Sequence, residues 1–155
     1  MASAVELWRA TADDVPALAA LHHDTVAFAY REWFPPPAPS VDVLAPLWAR
    51  DVQDADAVIV AADGAVVVGS AVARAGGDLA RVHVHPSRWG EGIGQRLHDA
   101  AVDALRDAGH VEARLWVIER NARARALYER NGWVLVPDEC IEELGVVEVR
   151  YRLAL

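Results

Sequence analysis

The chain contains no lysine. All 15 of its basic side chains, in 155 residues, are arginine. A P-loop needs a Gly-Lys-Ser/Thr run, so that class of phosphate site is excluded, and so is modification of the chain's own lysines. There is one cysteine, Cys140. It excludes an internal disulfide and the common structural zinc frameworks, and it fits a reducing cytoplasm. Long apolar runs are lacking too. The longest apolar region, Ala57–Ala73, is cut by Asp63-Gly64, a turn pair between β-branched runs that predicts a hairpin rather than a membrane span. The opening MASAVELWRATADD has neither the basic start nor the apolar centre of a signal peptide, so a cytoplasmic protein is expected. Basic charge is scarce. The net charge is −8 and no basic run stands out, so neither nucleic acid nor a membrane surface is an expected partner. An acidic surface favours a cationic small molecule.

Hydrophobic residues make up 54% of the chain, enough for a proper core. At this length one domain is expected, residues 1–155, burying roughly 70% of its extended surface. The most informative stretch is VHVHPSRWGEGIGQRL, Val82–Leu97. A short β-branched strand passes through Pro86 into a loop with Gly90, Gly92 and Gly94, and a helix follows. Ile93, Leu97, Ala100, Ala101, Ala104, Leu105 and Ala108 share one helical face. Glycines at a helix N-terminus leave main-chain N–H groups unpaired at the positive end of the helix dipole, a ready site for phosphate. A dinucleotide fingerprint needs a further glycine at position six. From Gly90 that position is Gln95 and from Gly92 it is Leu97, so the fingerprint fails.

A second segment, LWVIERNARARALYERNGWVLV, reads as strand, helix and strand. Asn121 is placed as a helix N-cap and Gly132 as the residue closing the helix. Taken with the glycine loop, this segment resembles the GCN5-related N-acetyltransferase (GNAT) superfamily. The loop is similar to that family's Arg/Gln-x-x-Gly-x-Gly/Ala, reading Trp89-Gly90-Glu91-Gly92-Ile93-Gly94. It departs at the first position, with Arg88 one place early. Asn121, Ala124, Leu127, Tyr128, Gly132 and Trp133 carry the second half of the resemblance.

The resemblance implies acetyl-CoA as cosubstrate, with no metal. The expected cofactor contacts are Val82, His83, Val84, Arg88, Trp89, Gly90, Glu91, Gly92, Ile93, Gly94, Gln95, Asn121 and Tyr128. The fold it implies is α/β (α+β): a mixed, mostly antiparallel sheet of about seven strands with helices on both faces. Strands four and five splay apart, so that pantetheine pairs with Val82–Val84 as an added strand. Pattern alone predicts the order β-α-α-α-β-β-β-α-β-α-β-β. It has helices to about His23, over Val26–Trp33, and from Ser40 to about Val52, and an acidic loop over Asp138–Gly145.

Tyr128 is the expected partner of the departing sulfur, since a phenol can protonate or hydrogen-bond a thiolate. Its other reading is simple packing beside Leu127 and Trp133. Asn121 is a cap, a cofactor contact, or both. Thr25, Tyr30, Trp33 and Phe34 are the expected acceptor-binding residues, with the aromatics alternatively in the core. His83 and Asp78 are alternative general bases, alongside a water chain. Cys140 lies far in sequence from both motifs, a poor context for a covalent acetyl carrier. The expected activity is therefore direct transfer to a primary amine of a small molecule or peptide, by a monomer or homodimer. The alternative is a non-catalytic acyl-CoA-binding sensor or subunit.

Overall fold

The computed structural model describes residues 4–155. Seven strands form two sheets. β1 (Val5–Arg9), β2 (Ala57–Asp63), β3 (Val66–Ala73) and β4 (Leu79–Val84) pair in sequence order, all antiparallel. β5 (Glu112–Ile118), β6 (Val134–Glu143) and β7 (Val146–Ala154) form a second antiparallel sheet in the order β5-β7-β6. Between β4 and β5 the only ladder contact among the described residues is one parallel bridge, Asp78 to Arg114. The strands are joined at one end and open at the other, as expected.

Helices cover both faces of the first sheet. α1 (Val15–Asp24) and α2 (Val41–Asp54) pack Leu18, Ala19, Leu44 and Trp48 against Val58, Val60 and Val72. On the other face α3 (Ile93–Asp107) sets Ile93, Leu97, Ala101 and Leu105 against Ile59, Ala61, Val68 and Ala71. β2 is therefore buried on both sides. That is why its sequence AVIVAA is continuously apolar rather than alternating.

Two expected elements differ. No separate helix covers Val26–Trp33. α1 runs on into a π-turn at Thr25–Ala29, closed by Tyr30 N–H to Thr25 O at 3.0 Å. Thr25 Oγ1 donates to Leu21 O at 2.8 Å, a side-chain bond that competes with the α-helical ladder at this turn. The acidic stretch Asp138–Glu143 is not a loop but the second half of β6. A bulge between Leu135 and Cys140 interrupts its pairing with β7. Leu144 and Gly145, both at positive φ, close a tight hairpin. Acidic residues suit an exposed edge strand because they repel a second edge, and that hides the strand from a propensity reading.

β4 carries the irregularity that shapes the site. Ser70 pairs with His83 and Val72 with Ala80, which leaves one extra residue on β4 between these pairs. Arg81 takes up that residue at φ +49. A bulge of this kind bends the strand and re-aims the residues after it. Here those residues are Val82, His83 and Val84.

Candidate active site

A cavity of about 740 Å³ opens where β4 and β5 part. Its walls are the end of β4, the loop leading into α3, the helix α4 (Ala122–Arg130), and the turn after α1.

The loop wall is made of main chain. Gly90 and Gly92 sit at φ +83 and +79, and a Cβ on either would meet nothing within 4 Å. Glycine is required there by the backbone angle, and the face it leaves is open. Gly94 has another role. A Cβ there would lie 3.7 Å from Val84 Cγ2 and 3.9 Å from Leu127 Cδ2, so this glycine seats α3 close to β4 and α4. Gly92 is the N-cap of α3, and the helix's first bond is Arg96 N–H to Gly92 O at 3.2 Å. The amides of Ile93, Gly94 and Gln95 precede that bond, so they have no partner within the helix. Arg88 braces the loop through Glu91 at 2.6 Å and Asp63 at 3.1 Å. Trp89 donates its indole N–H to Val84 O at 2.9 Å, and its ring lies under the Arg123 guanidinium at 4.1 Å.

α4 begins at Asn121, whose Oδ1 accepts from Ala124 N–H at 3.2 Å. One face down the helix, Tyr128 is buried against Trp133 and Tyr151, with ring centroids 5.9 and 6.5 Å apart. Among the described residues its hydroxyl has no hydrogen-bond partner. Burial, and then the neighbouring Tyr30, raise its pKa above the ordinary phenol range. The hydroxyl therefore stays protonated and is a hydrogen-bond donor.

The opposite wall is made of side chains. Thr25, Tyr30 and Trp33 line it, beside His83 on β4. The His83 ring lies 4.9 Å from His22 and 6.1 Å from Tyr30, and its buried Nδ1 has no partner. Burial, then His22 and Arg81, push His83 down to about 3. His22 is held at about 4 by burial and Arg81, and its Nδ1 accepts from Trp48 Nε1 at 3.3 Å. Tyr30 is raised to about 12 by burial and Glu148. His83 was one of the expected general bases. The structure instead gives a neutral, weakly basic ring.

Three expected residues stand outside the cavity. Asp78 is at the far end of β4, with Oδ1 3.6 Å from Arg150 Nη2. At about 3.3 Å per residue it is five residues of strand away from His83. Phe34 packs 6.4 Å from Tyr30 without reaching the cavity lining, and Glu91 turns back to Arg88. The other expected cofactor and acceptor residues line the cavity, Gln95 with its side chain bonded to Asp99 and Asn131. Unexpected lining residues include Glu32, Arg120, Arg123 and Arg130. One signal for Arg123 was present in the sequence. It is a cation in the first turn of a helix, where the dipole disfavours positive charge unless an anion is near.

Residues 19–133 match the Acetyltransferase (GNAT) family. The chain belongs to the GNAT acetyltransferase family. Among curated proteins it is similar to a mycothiol acetyltransferase from Beutenbergia cavernae, with 43% identity over 60 residues. That match covers 39% of this chain and 20% of the relative, so the matched segment spans about one fifth of that protein. Among solved structures, a putative acetyltransferase from Salmonella typhimurium with its cofactor acetyl-CoA superposes with a TM-score of 0.74. It is 21% identical, and the match covers 97% of this chain and 94% of the other. A ribosomal-protein-alanine N-acetyltransferase from Brucella melitensis gives 0.77 at 21% identity, over 97% and 99% of the two chains. The fold of this GNAT chain, with its two sheets and open β4–β5 end, agrees with theirs.

Proposed function

We propose that this GNAT-family chain transfers the acetyl group of acetyl-CoA directly to a primary amine of a small molecule or peptide, within a ternary complex. One juxtaposition carries the reading. The unpaired amides of Ile93–Gln95 and the free hydroxyl of Tyr128 belong to the walls of one cavity, beside the end of β4 that no strand pairs on the β5 side. The residues fit the cosubstrate: an anion site at the helix N-terminus, a strand edge at Val82–Val84 for amide pairing, and a hydrogen-bond donor further in.

Acetyl-CoA supplies an activated thioester. The acceptor nitrogen forms a bond to the acetyl carbon while the carbon–sulfur bond breaks, and the pair of electrons in that bond goes to sulfur. The amides of α3 hold phosphate charge at the loop, and Asn121 fixes the start of α4. Tyr128 donates a hydrogen bond to the sulfur as it becomes negative. Its raised pKa makes complete proton transfer to a thiolate unfavourable, so stabilisation by the hydrogen bond is its role. The proton lost by the nitrogen goes to water. His83, with a pKa near 3, is too weak a base to take it and acts as an acceptor that orients the amine. Cys140 is exposed on β6 and outside the cavity lining, which supports direct transfer over a cysteine-bound acetyl. One of the similar proteins is named a ribosomal-protein-alanine N-acetyltransferase, and that name agrees with an amine acceptor.

The test is coenzyme A release with acetyl-CoA across a panel of polyamines, amino acids, aminoglycosides and peptide N-termini, with products identified by mass spectrometry. Acetylation of one amine class above the hydrolysis background is expected. Tight acetyl-CoA binding with no release on any amine would favour the non-catalytic sensor instead.

A further inference from the structure

We propose that Arg123, seated on Trp89, is the side chain that anchors the phosphate-bearing end of coenzyme A across the mouth of the cleft. The inference rests on the cosubstrate reading above and adds a residue to it. Trp89 stands where the loop's first motif position would offer a long polar side chain, and an indole offers no charge to a phosphate. The indole is fixed on two sides. Its N–H bonds Val84 O at 2.9 Å, and its face lies 4.1 Å from the Arg123 guanidinium carbon. A ring held in this way is a platform, and a guanidinium stacked on it keeps its planar edge free for hydrogen bonding.

The placement of Arg123 is informative by itself. It comes from α4, while Trp89 comes from the loop before α3, so the stack bridges two walls of the cavity that both residues line. It occupies the first turn of α4, where a cation is disfavoured by the helix dipole, and no acidic residue compensates it there. Among the described residues Arg123 forms no ion pair. Arg120 and Arg130 line the same cavity, in a chain whose net charge is −8. These arginines lining one cavity of an acidic protein, with Glu32 the one acidic side chain in that lining among the described residues, call for an anion. The phosphates of coenzyme A are the anion that this cleft would receive. The shared chemistry is a phosphate oxygen taken by the guanidinium, whether from the pyrophosphate or from the phosphate on the ribose.

The experiment measures equilibrium binding of acetyl-CoA, and of acetyl-dephospho-CoA lacking the ribose phosphate, to wild type, Arg123→Ala, Trp89→Leu and the double variant. Calorimetry gives the Kd, and steady-state kinetics follows with an accepted amine. Arg123→Ala is expected to weaken acetyl-CoA by about 10- to 100-fold, the range for a lost charge-assisted contact. KM should rise while kcat at saturation stays near wild type. An equal loss on both ligands assigns the pyrophosphate, and a loss confined to acetyl-CoA assigns the ribose phosphate. Trp89→Leu is expected to cost about 2- to 10-fold, and the double variant to be no weaker than Arg123→Ala alone. An unchanged Kd for both ligands in folded Arg123→Ala overturns the assignment, and fully multiplicative losses in the double variant overturn the platform. Failure of wild type to bind either ligand would instead refute the cosubstrate reading.

Discussion

The two walls of the cavity are built from different materials. The donor wall, from Trp89 to Gln95, offers main-chain amides, and its glycines at positive φ leave them uncovered. The acceptor wall, from Thr25 to Trp33 with His83, offers side chains on an irregular turn, over a buried and a half-buried histidine, both held neutral. Backbone recognition depends on a few glycines and a helix end, so it suits a constant ligand. Side-chain recognition can be exchanged residue by residue, so it suits the partner that varies. The difference predicts that damage to the donor wall shows as lost affinity, and damage to the acceptor wall as changed chemistry or pH response.

Gly92→Glu should have the largest effect. It places bulk and negative charge on the open face of the loop, and acetyl-CoA affinity should fall by on the order of 2–4 kcal/mol, read by calorimetry. Some loss of stability will accompany it, because φ is +79 at that position. Gly109→Glu is the control. Gly109 has φ +91 and open space around its Cβ, but it lies past the other end of α3. It should share the backbone strain and keep the affinity. Equal affinity losses in the two variants would show that strain, not the anion site, is responsible.

The next effect is at Tyr128, where the walls meet. Tyr128→Phe keeps the ring against Trp133 and Tyr151 and removes only the hydroxyl. kcat should fall about 10- to 100-fold, with acetyl-CoA Kd within a few-fold of wild type, because the bond to sulfur strengthens only as charge develops. A variant at full speed with chemistry rate-limiting would reduce Tyr128 to a packing residue.

The contrast between the walls also accounts for what could be read from the sequence. Gly90, Gly92 and the apolar face from Ile93 to Leu105 announce their structure through local rules: positive φ and helical period. The hairpin at Asp63-Gly64 and the Asn121 cap are local too. The π-turn at Thr25 depends on a side-chain bond to Leu21 O, which no spacing rule registers. The depressed histidines depend first on burial, a tertiary property, and then on Arg81, the bulged residue of β4. The acidic half of β6 pairs because β7 is beside it, against the propensity of its residues. Asp78 was misplaced for a related reason. A position near the start of the right strand says nothing about which end of that strand opens into the cavity.

The acceptor wall should reveal itself in acid. His22 and His83 have folded pKa values of about 4 and about 3, below the ordinary 6.5 that an unfolded chain would show. Between those limits the unfolded state binds more protons, so stability rises with pH and is lost as pH falls below about 6.5. At pH 5.5 the cost is on the order of 1 kcal/mol for His83 and less for the partly exposed His22. Urea unfolding at pH 7.5 and 5.5 checks it. His83→Gln should flatten the difference relative to wild type, and an unchanged difference would mean that His83 is not held neutral by the fold.

The smallest effect separates the two readings of Asn121. Its Oδ1 satisfies the Ala124 N–H at the start of α4, and the residue also lines the cavity. Removing the cap in Asn121→Ala should cost about 1 kcal/mol of stability without ligand, read as a lower urea midpoint at constant m. Asn121→Ser restores an uncharged capping oxygen, so stability should return, but it lacks the carboxamide that Asn121 presents to the cavity. If Asn121 were a cap alone, the Ser variant would match wild type in both stability and acetyl-CoA affinity. If it also serves the donor wall, stability recovers while affinity drops several-fold, because only the second role needs the amide.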